Sequence, residues 1–393
     1  LPAAYAQPDQ KIVAKLKSYS SAHLTEKTYL HFDKPYYATG DTVYFKAYVT
    51  MGERLNLSHL SGILHVDLIN TNNKIDQNIK VQLINGLGWG DFALPDSLPA
   101  GNYRIRAYTR WIRNDGNYFE QVIPIGSVHD QKIPESSTAH KNINTKADLQ
   151  FFPEGGSLVS GIPAKIAFKA IGPNGLGVAA KGILVDNAGK TITQFASVRL
   201  GMGAFSFTPE DGKTYKANIT FADGSKDVLD LPLANTKGIT LAVNNDSLSK
   251  ASVKIQSSKA WYDENKKKDY TLLIYSGGLA TTVNFKLDSM VINLDIIKRR
   301  LHTGITRVTL FSAANEPLCE RLLFVQNYDQ LGLNISTDKG TYRSKEKVII
   351  RLNVKTRADS AAAGHFSVSV IDESKVPVEE NTESTILTDL LLT

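Results

Sequence analysis

His31 and Asp33 stand two residues apart in EKTYLHFDKPYYATGDTVYFKAYV (26–49), with Asp41 a short way on. On an extended strand that spacing puts imidazole and carboxylate on one face. Such a pair could ligate a metal or move a proton. A second concentration is YRIRAYTRWIRND (103–115), where Arg104, Arg106, Arg110 and Arg113 interleave with Tyr108 and Trp111. Guanidinium and aromatic groups so mixed can stack on bases or sugars. Trp89, in GLGWGD (86–91), adds a further aromatic group. Trp89, Arg106, Tyr108, Arg110 and Trp111 are therefore the candidate ligand or partner surface.

Against each chemical reading stands a structural one. The Asp33–Val49 stretch aligns without gaps onto residues 338–354: Asp33/Asp338, Lys34/Lys339, Tyr37/Tyr342, Val43/Val348 and Val49/Val354 are identical, while Asp41/Glu346 and Lys46/Arg351 keep their charge. The second copy has no histidine. A residue repeated with its module is more simply explained by folding, with Asp33 capping a turn begun at Pro35 and Gly40-Asp41 making the next reversal. His31 alone keeps room for a private role. In 103–108 the alternation is that of a sheet strand, Arg104 and Arg106 outward, Ile105 and Ala107 inward. That reading outweighs a stacking platform. The runs KKK (266–268) and KRR (298–300) read as solvated loop charges.

Other reaction classes find no support. Cys319 is the single cysteine, so no disulfide forms within the chain, and PLCERLLFV places it as a small apolar residue without a neighbouring base. GLGWGD is followed by a turn rather than a helix, so it is no phosphate fingerprint. NTNNKIDQN (70–78) offers oxygens but not the EF-hand pattern. No zinc-type Cys/His spacing, HExxH or GxSxG occurs. No catalytic, cofactor-binding or metal-ligating residue is assigned.

The elements that would position these residues are mostly strands. Tyr, Phe, Val and Thr alternate with polar residues from residue 28 onward, broken by turn clusters. GWGDFALPDSLPAGNYRIRAYT (88–109) matches GMGAFSFTPEDGKTYKANITF (201–221) as Gly-x-Gly-x-Phe, Pro, Gly, Tyr and a returning strand. Phe92 and Phe205 should face a core and Tyr103 and Tyr215 anchor the return. IAFKA in 151–170 echoes VYFKA at 43–47. One module thus opens with DKPxY-like residues and closes with GxGxF…GxY, over about the length of a β-sandwich. The expected fold is all-β, tandem antiparallel sandwiches with one short N-terminal helix. Residues 1–7 are a signal-peptide remnant or disordered, since Ala4-Tyr5-Ala6 before Gln7 has the form a signal peptidase cuts. A helix covers 8–25 and packs on the first domain. Domains follow at 26–127, 147–233 and 238–328, with a linker at 128–146. A fourth, at 331–393, opens without closing, which suggests truncation of a longer chain. DSMVINLDIIKRRL (288–301) fits both helix and strand periods.

Composition is that of a folded protein, 42% hydrophobic and 21% charged. A net charge of +6 over 393 residues argues little for nucleic acid. No run of 18 apolar residues offers a membrane span.

TYLHFDKPYYATGDTVYFKAYV resembles the MG2-type opening of α2-macroglobulin-like proteins, DKPxYxPGDxVxFK, with Thr39 where the family often has Pro. RAYTRWIRN, DLQFFPEGGSLVSG and GITRVTLFSAANEPLCERLLFV look like a lineage of exported Bacteroidetes proteins in which macroglobulin-type domains precede a carboxypeptidase-regulatory-like or TonB-receptor-plug-like region. The resemblance implies macroglobulin/fibronectin-III-like sandwiches, export to the periplasm or outer-membrane surface of a Gram-negative bacterium, and envelope or outer-membrane protein partners. It does not bring protease trapping, because Cys319 in LCER fails to match the Cys-Gly-Glu-Gln thioester. The favoured reading is a non-enzymatic envelope scaffold serving outer-membrane TonB-dependent transport. A protease-binding protein and a glycan-binding module are the alternatives.

Overall fold

Hairpins repeated along the chain organise the computed structural model, which describes residues 10–126, 146–327, 329–372 and 384–392. The signal-like terminus and, except for Lys146, the expected linker lie outside the described residues. Helix α1 (Gln10–Ala22) comes first. The first sandwich then holds β1 (Glu26–Phe32), β2 (Tyr37–Ala38), β3 (Thr42–Met51), β4 (Asn56–Leu57), β5 (Ile63–Ile69), β6 (Ile75–Gln82), β7 (Leu87–Ala93), β8 (Gly101–Tyr108), the short helix α2 (Ile112–Asp115) and β9 (Phe119–Gly126). One of its sheets runs β1-β3-β4 with β7 also on β3, and the other runs β2-β9-β8-β5-β6.

The second pair of sheets uses β10 (Asp148–Pro153), β11 (Ala164–Ile171), β12 (Ala180–Asp186), β13 (Thr191–Ala196), β14 (Met202–Phe207), β15 (Tyr215–Phe221) and β16 (Lys226–Asp230), in orders β10-β11-β14 and β13-β12-β15-β16. The third uses β17 (Ile239–Asn244), β18 (Lys250–Ser257), helix α3 (Lys259–Asn265), β19 (Asp269–Ser276), β20 (Leu279–Lys286), β21 (Val291–Ile297), β22 (Gly304–Phe311) and β23 (Pro317–Val325), in orders β17-β18-β21 and β20-β19-β22-β23. Last come the hairpin β24 (Gly332–Thr337) and β25 (Ile350–Lys355), then α4 (Ile386–Leu392). Among the described residues the named strands pair antiparallel except β2 with β9, and an isolated parallel bridge joins Val159 to Asn235. Two compact units result. One holds the second and third sheet pairs with α1, and the other holds the first sandwich, the β24–β25 hairpin and α4.

Period-two patterning builds each core. Along β3, Val43, Phe45, Ala47 and Val49 are buried, while Tyr44, Lys46 and Tyr48 face outward. Burying each Val or Phe side chain contributes about 1.5–3 kcal/mol. On β8, Tyr103, Ile105 and Ala107 point inward as expected, leaving Arg104 and Arg106 outside. Phe92 and Phe205 are buried. The Tyr103 hydroxyl donates to the Pro99 carbonyl at 2.9 Å, and the Tyr215 hydroxyl accepts from Glu210 N at 2.8 Å.

Register explains the GxGxF signature. Val43 pairs with Phe92 and Phe45 with Gly90; likewise Ile166 pairs with Phe205 and Phe168 with Gly203. A Cβ on Gly90 would lie 2.9 Å from the Phe45 ring, and one on Gly203 would lie 2.5 Å from that of Phe168. The second glycine is therefore the space a phenylalanine ring fills.

Several expectations are corrected. Helix α1 packs not on the first sandwich but on the third, near β20, with Ser20 Oγ 3.3 Å from the Tyr275 hydroxyl. Its half-buried Ile12, Val13 and Leu16 define an apolar stripe without specifying which sheet it meets. Residues 288–301 resolve as strand β21 followed by a 3-10 turn, Lys298–Arg300. Lys298 is not a solvated charge: it is buried, and its ammonium donates to the carbonyls of Asn245 (2.8 Å) and Ser247 (2.5 Å). Helices α3 and α4 escape a periodicity search because each has only seven residues. Ser258 caps α3, accepting from Trp261 N. Ile386 and Leu390 of α4 pack against the first core, and Lys27 Nζ donates to the Leu390 carbonyl at 3.2 Å.

Candidate functional site

The His-x-Asp-Lys stretch lies between β1 and β3, and its polar groups are bound to one another. Asp33 Oδ1 accepts from the Tyr37 hydroxyl at 2.6 Å and from Tyr44 N at 3.0 Å. The same hydroxyl accepts from Lys34 N at 3.3 Å. Lys34 Nζ pairs with Asp41 at 2.8 Å and lies over the Tyr37 ring, and Asp41 also accepts from Ala38 N. Asp33 is thus a clasp across β1 and β3 rather than the cap of a turn at Pro35. Gly40, at φ +83°, makes the reversal that Asp41 closes. Burial, followed by the bond to Asp33, pushes the Tyr37 hydroxyl far above its usual value. For Asp41, burial acts upward, but Lys34 and the Ala38 N–H outweigh it and hold the carboxyl low.

Every bond recurs in the last hairpin. Asp338 Oδ1 accepts from the Tyr342 hydroxyl at 2.6 Å and from Ile349 N at 3.0 Å. The Tyr342 hydroxyl accepts from Lys339 N at 2.9 Å, Lys339 pairs with Glu346, and Glu346 accepts from Arg343 N at 2.8 Å. Two copies of one network, one without a histidine beside it, mark the stretch as framework.

The five candidate surface residues divide between two sheets. Arg106 and Tyr108 lie on the outer face of β8. There Arg106 Nε meets Glu120 at 2.6 Å and its guanidinium stacks over Tyr118, while Tyr108 stacks on His65 at 5.4 Å and 9°. Burial, then Lys80 and Arg110, lower the His65 imidazole below its ordinary value. Arg110 and Trp111 follow in the turn leading to α2. Trp89 is elsewhere: it projects from β7 on the other sheet, 69% exposed, in one row with Lys46 and His31. The next row places Tyr44 beside Asp91. These residues line a groove of about 430 Å³ that Ser367 and Val368 border. Lys46 Nζ donates to the Phe366 carbonyl at 2.8 Å, the Tyr48 hydroxyl meets Ser367 Oγ at 2.8 Å, and Ser369 Oγ donates to the Asp33 carbonyl. A strap from the last repeat therefore crosses the face that bears His31.

Sequence reading passed over Glu26. Its carboxylate is buried at the start of β1 and accepts from the hydroxyls of Ser58, Ser61 (2.8 Å) and Thr109 (2.6 Å). No local signal links those partners, which lie 32 to 83 residues away in the chain. Elsewhere Glu154, in PEGG, accepts from Arg321 at 3.0 Å and from Val243 N at 3.3 Å, tying β10 to β17 and β23. Asn70 in NTNNKIDQN spends its side-chain oxygen on the N–H groups of Asn72 and Lys74, as a hairpin turn requires. Cys319 is buried, its Sγ donating to the Ile239 carbonyl, and burial pushes its thiol up to about 11. Among the described residues no group of three or more His, Cys, Asp or Glu could hold a metal ion. No described helix is long and apolar enough to cross a membrane.

The class defined by these sheets is a tandem antiparallel β-sandwich protein whose most reactive-looking stretch is a repeated folding element. No family model and no curated protein matches the chain. Among solved structures it is similar to Escherichia coli α2-macroglobulin activated by porcine elastase, at 14% identity and TM-score 0.30, over 85% of this chain and 34% of that one. The native conformation of E. coli α2-macroglobulin is matched at 13% and 0.24, over 85% and 25%. A tetra-tandem repeat from the extending region of a large adhesion protein is matched at 12% and 0.23, over 90% and 92%. The chain spans about a third or less of the macroglobulins it matches.

Proposed function

We propose that the chain is a non-enzymatic scaffold or interaction arm of the bacterial envelope. It is built of macroglobulin-like domains at 26–127, 147–233, 238–328 and from 331, and it serves an outer-membrane TonB-dependent transport system. The observation that carries the non-enzymatic part is the duplicated clasp: the groups that would do chemistry, Asp33, Tyr37, Lys34 and Asp41, satisfy one another, as do Asp338, Tyr342, Lys339 and Glu346. Sandwiches of this kind leave loops, edges and outer faces for partners. Fractionation of producing cells followed by chemical crosslinking tests the reading. Recovery in the envelope, crosslinked to an outer-membrane transport protein, is expected; recovery in the cytoplasm alone would overturn it.

A glycan-binding reading has one observation in its favour, the exposed pair Trp89 and Tyr44 beside a groove that also holds Asp91. Sugar rings stack on such aromatic faces and hydrogen-bond to neighbouring carboxylates. Signals on a glycan array that vanish in Trp89→Ala would support this reading, and a blank array would dispose of it.

A further inference from the structure

The loop after the opening strand closes on itself in two of the repeats. In the first, Asp33 accepts from the Tyr37 hydroxyl and Tyr44 N; in the last, Asp338 accepts from the Tyr342 hydroxyl and Ile349 N. The second sandwich has PEGG (153–156) at the end of its opening strand, and the acid there reaches outward. Glu154 N stays with β11, donating to the Lys165 carbonyl at 2.8 Å. Its carboxylate instead accepts from Val243 N at 3.3 Å and Arg321 at 3.0 Å, on β17 and β23 of the third sandwich.

This loop lies along β17, an edge strand of its sheet. Glu154 meets Val243. Gly155, at φ +80°, approaches Leu241 so closely that a Cβ would sit 2.9 Å from its carbonyl oxygen. Val159 packs on Gly238, just before the strand, where a Cβ would lie 2.7 Å from the valine side chain. Between Gly238 and Val243 an extended chain covers about 16 Å. The join itself is also held. Asn235 N donates to the Leu158 carbonyl at 2.8 Å, Ser160 N to the Asn235 carbonyl at 2.9 Å, and Ser258 N to the Gly238 carbonyl at 2.9 Å. Leu158 and Val159 are buried beneath these bonds.

Consecutive domains joined by one stretch of chain ordinarily move against each other. A joint fastened at one point is a hinge, whereas one fastened at several points along a strand resists rotation. The ion pair adds to this resistance: the Glu154 side chain is 14% exposed, so removing Arg321 strands a largely desolvated charge. We propose that the 154–160 loop is a clamp that holds the second and third sandwiches as one rigid arm, their outer faces at a fixed angle. The clamp goes beyond the scaffold reading and does not depend on the compartment in which the protein resides.

Double electron–electron resonance on the full chain tests this, with spin labels at Gln194→Cys on β13 and Lys254→Cys on β18. Both positions are exposed, and the buried Cys319 stays unlabelled. The parent should give one narrow distance distribution. Glu154→Ala and Arg321→Ala should each widen it about twofold or more, as sandwiches freed to move independently would. Gly155→Ala should widen it and shift its centre, because the loop must withdraw from Leu241. Glu154→Gln, which keeps an acceptor for Val243 N, should widen it less than Glu154→Ala. Amide exchange in β11 and β18 should match the parent in every variant, showing both cores intact. A broad distribution in the parent, or widths unmoved by both Glu154→Ala and Gly155→Ala, would overturn the clamp. So would widening accompanied by lost protection in β11 or β18, since Glu154 would then be supporting a core rather than joining two.

Discussion

Replacing Asp33 by alanine distinguishes a folding clasp from a reactive group. The substitution removes the acceptor of two hydrogen bonds, from the Tyr37 hydroxyl at 2.6 Å and from Tyr44 N at 3.0 Å. Tyr37 is almost fully buried, so its hydroxyl loses a charge-assisted bond and gains no water. Such a bond contributes roughly 1.5–3 kcal/mol, and the Tyr44 N–H, near solvent, adds about 0.5–1 kcal/mol. The expected loss is therefore about 2–4 kcal/mol, confined to the first sandwich. Global melting of a chain with several cores is not two-state, so the measurement should be local. Amide exchange read by mass spectrometry on peptides from β1 and β3 should accelerate about 30-fold or more, with peptides from β11 and β18 unchanged. Tyr37→Phe keeps the ring in the core and should cost less, about 1–2 kcal/mol. The double substitution should cost less than the sum of the two. An Asp33→Ala protein whose β1 and β3 exchange within twofold of the parent would refute the clasp.

Glu26→Ala strands the hydroxyls of Ser58, Ser61 and Thr109 and should destabilise the first sandwich by about 2–4 kcal/mol, visible as faster exchange in β1 and β8. Gly203→Ala drives a methyl group to 2.5 Å from the Phe168 ring and 2.6 Å from the Ala196 carbonyl, so β11 and β14 should lose about 1–3 kcal/mol in the same assay. The Tyr342 hydroxyl and then the Ile349 N–H hold the Asp338 carboxyl below its ordinary value. Its contribution is accordingly complete above about pH 4 and lost as pH falls through the lowered folded value, and the NMR shift of the Ile349 amide should begin to move only below that point. The buried Cys319 thiol, pushed up to about 11, should ignore Ellman's reagent at pH 8 until the protein is unfolded; rapid reaction of the native chain would contradict its placement.

What the sequence determined is local and repetitive. Alternation in VYFKAYV and YRIRAY fixes strands and their inner faces, because side-chain direction on a strand has a period of two. Repetition at 33–49 and 338–354 was enough to identify framework, since chemistry private to one site need not recur. Even Gly90 and Gly203 were legible as a signature, although only the register gives the reason, a ring opposite each. Tertiary structure decided what depends on distant partners. It assigned α1 to the third sandwich, buried Lys298 under two carbonyls, and gathered three hydroxyls around Glu26. It also separated Trp89 from Arg106 and Tyr108, which a linear reading had joined into one surface. Chain proximity cannot say which of two sheets a strand joins; hydrogen-bond pairing does, and it put β7 on one sheet and β8 on the other.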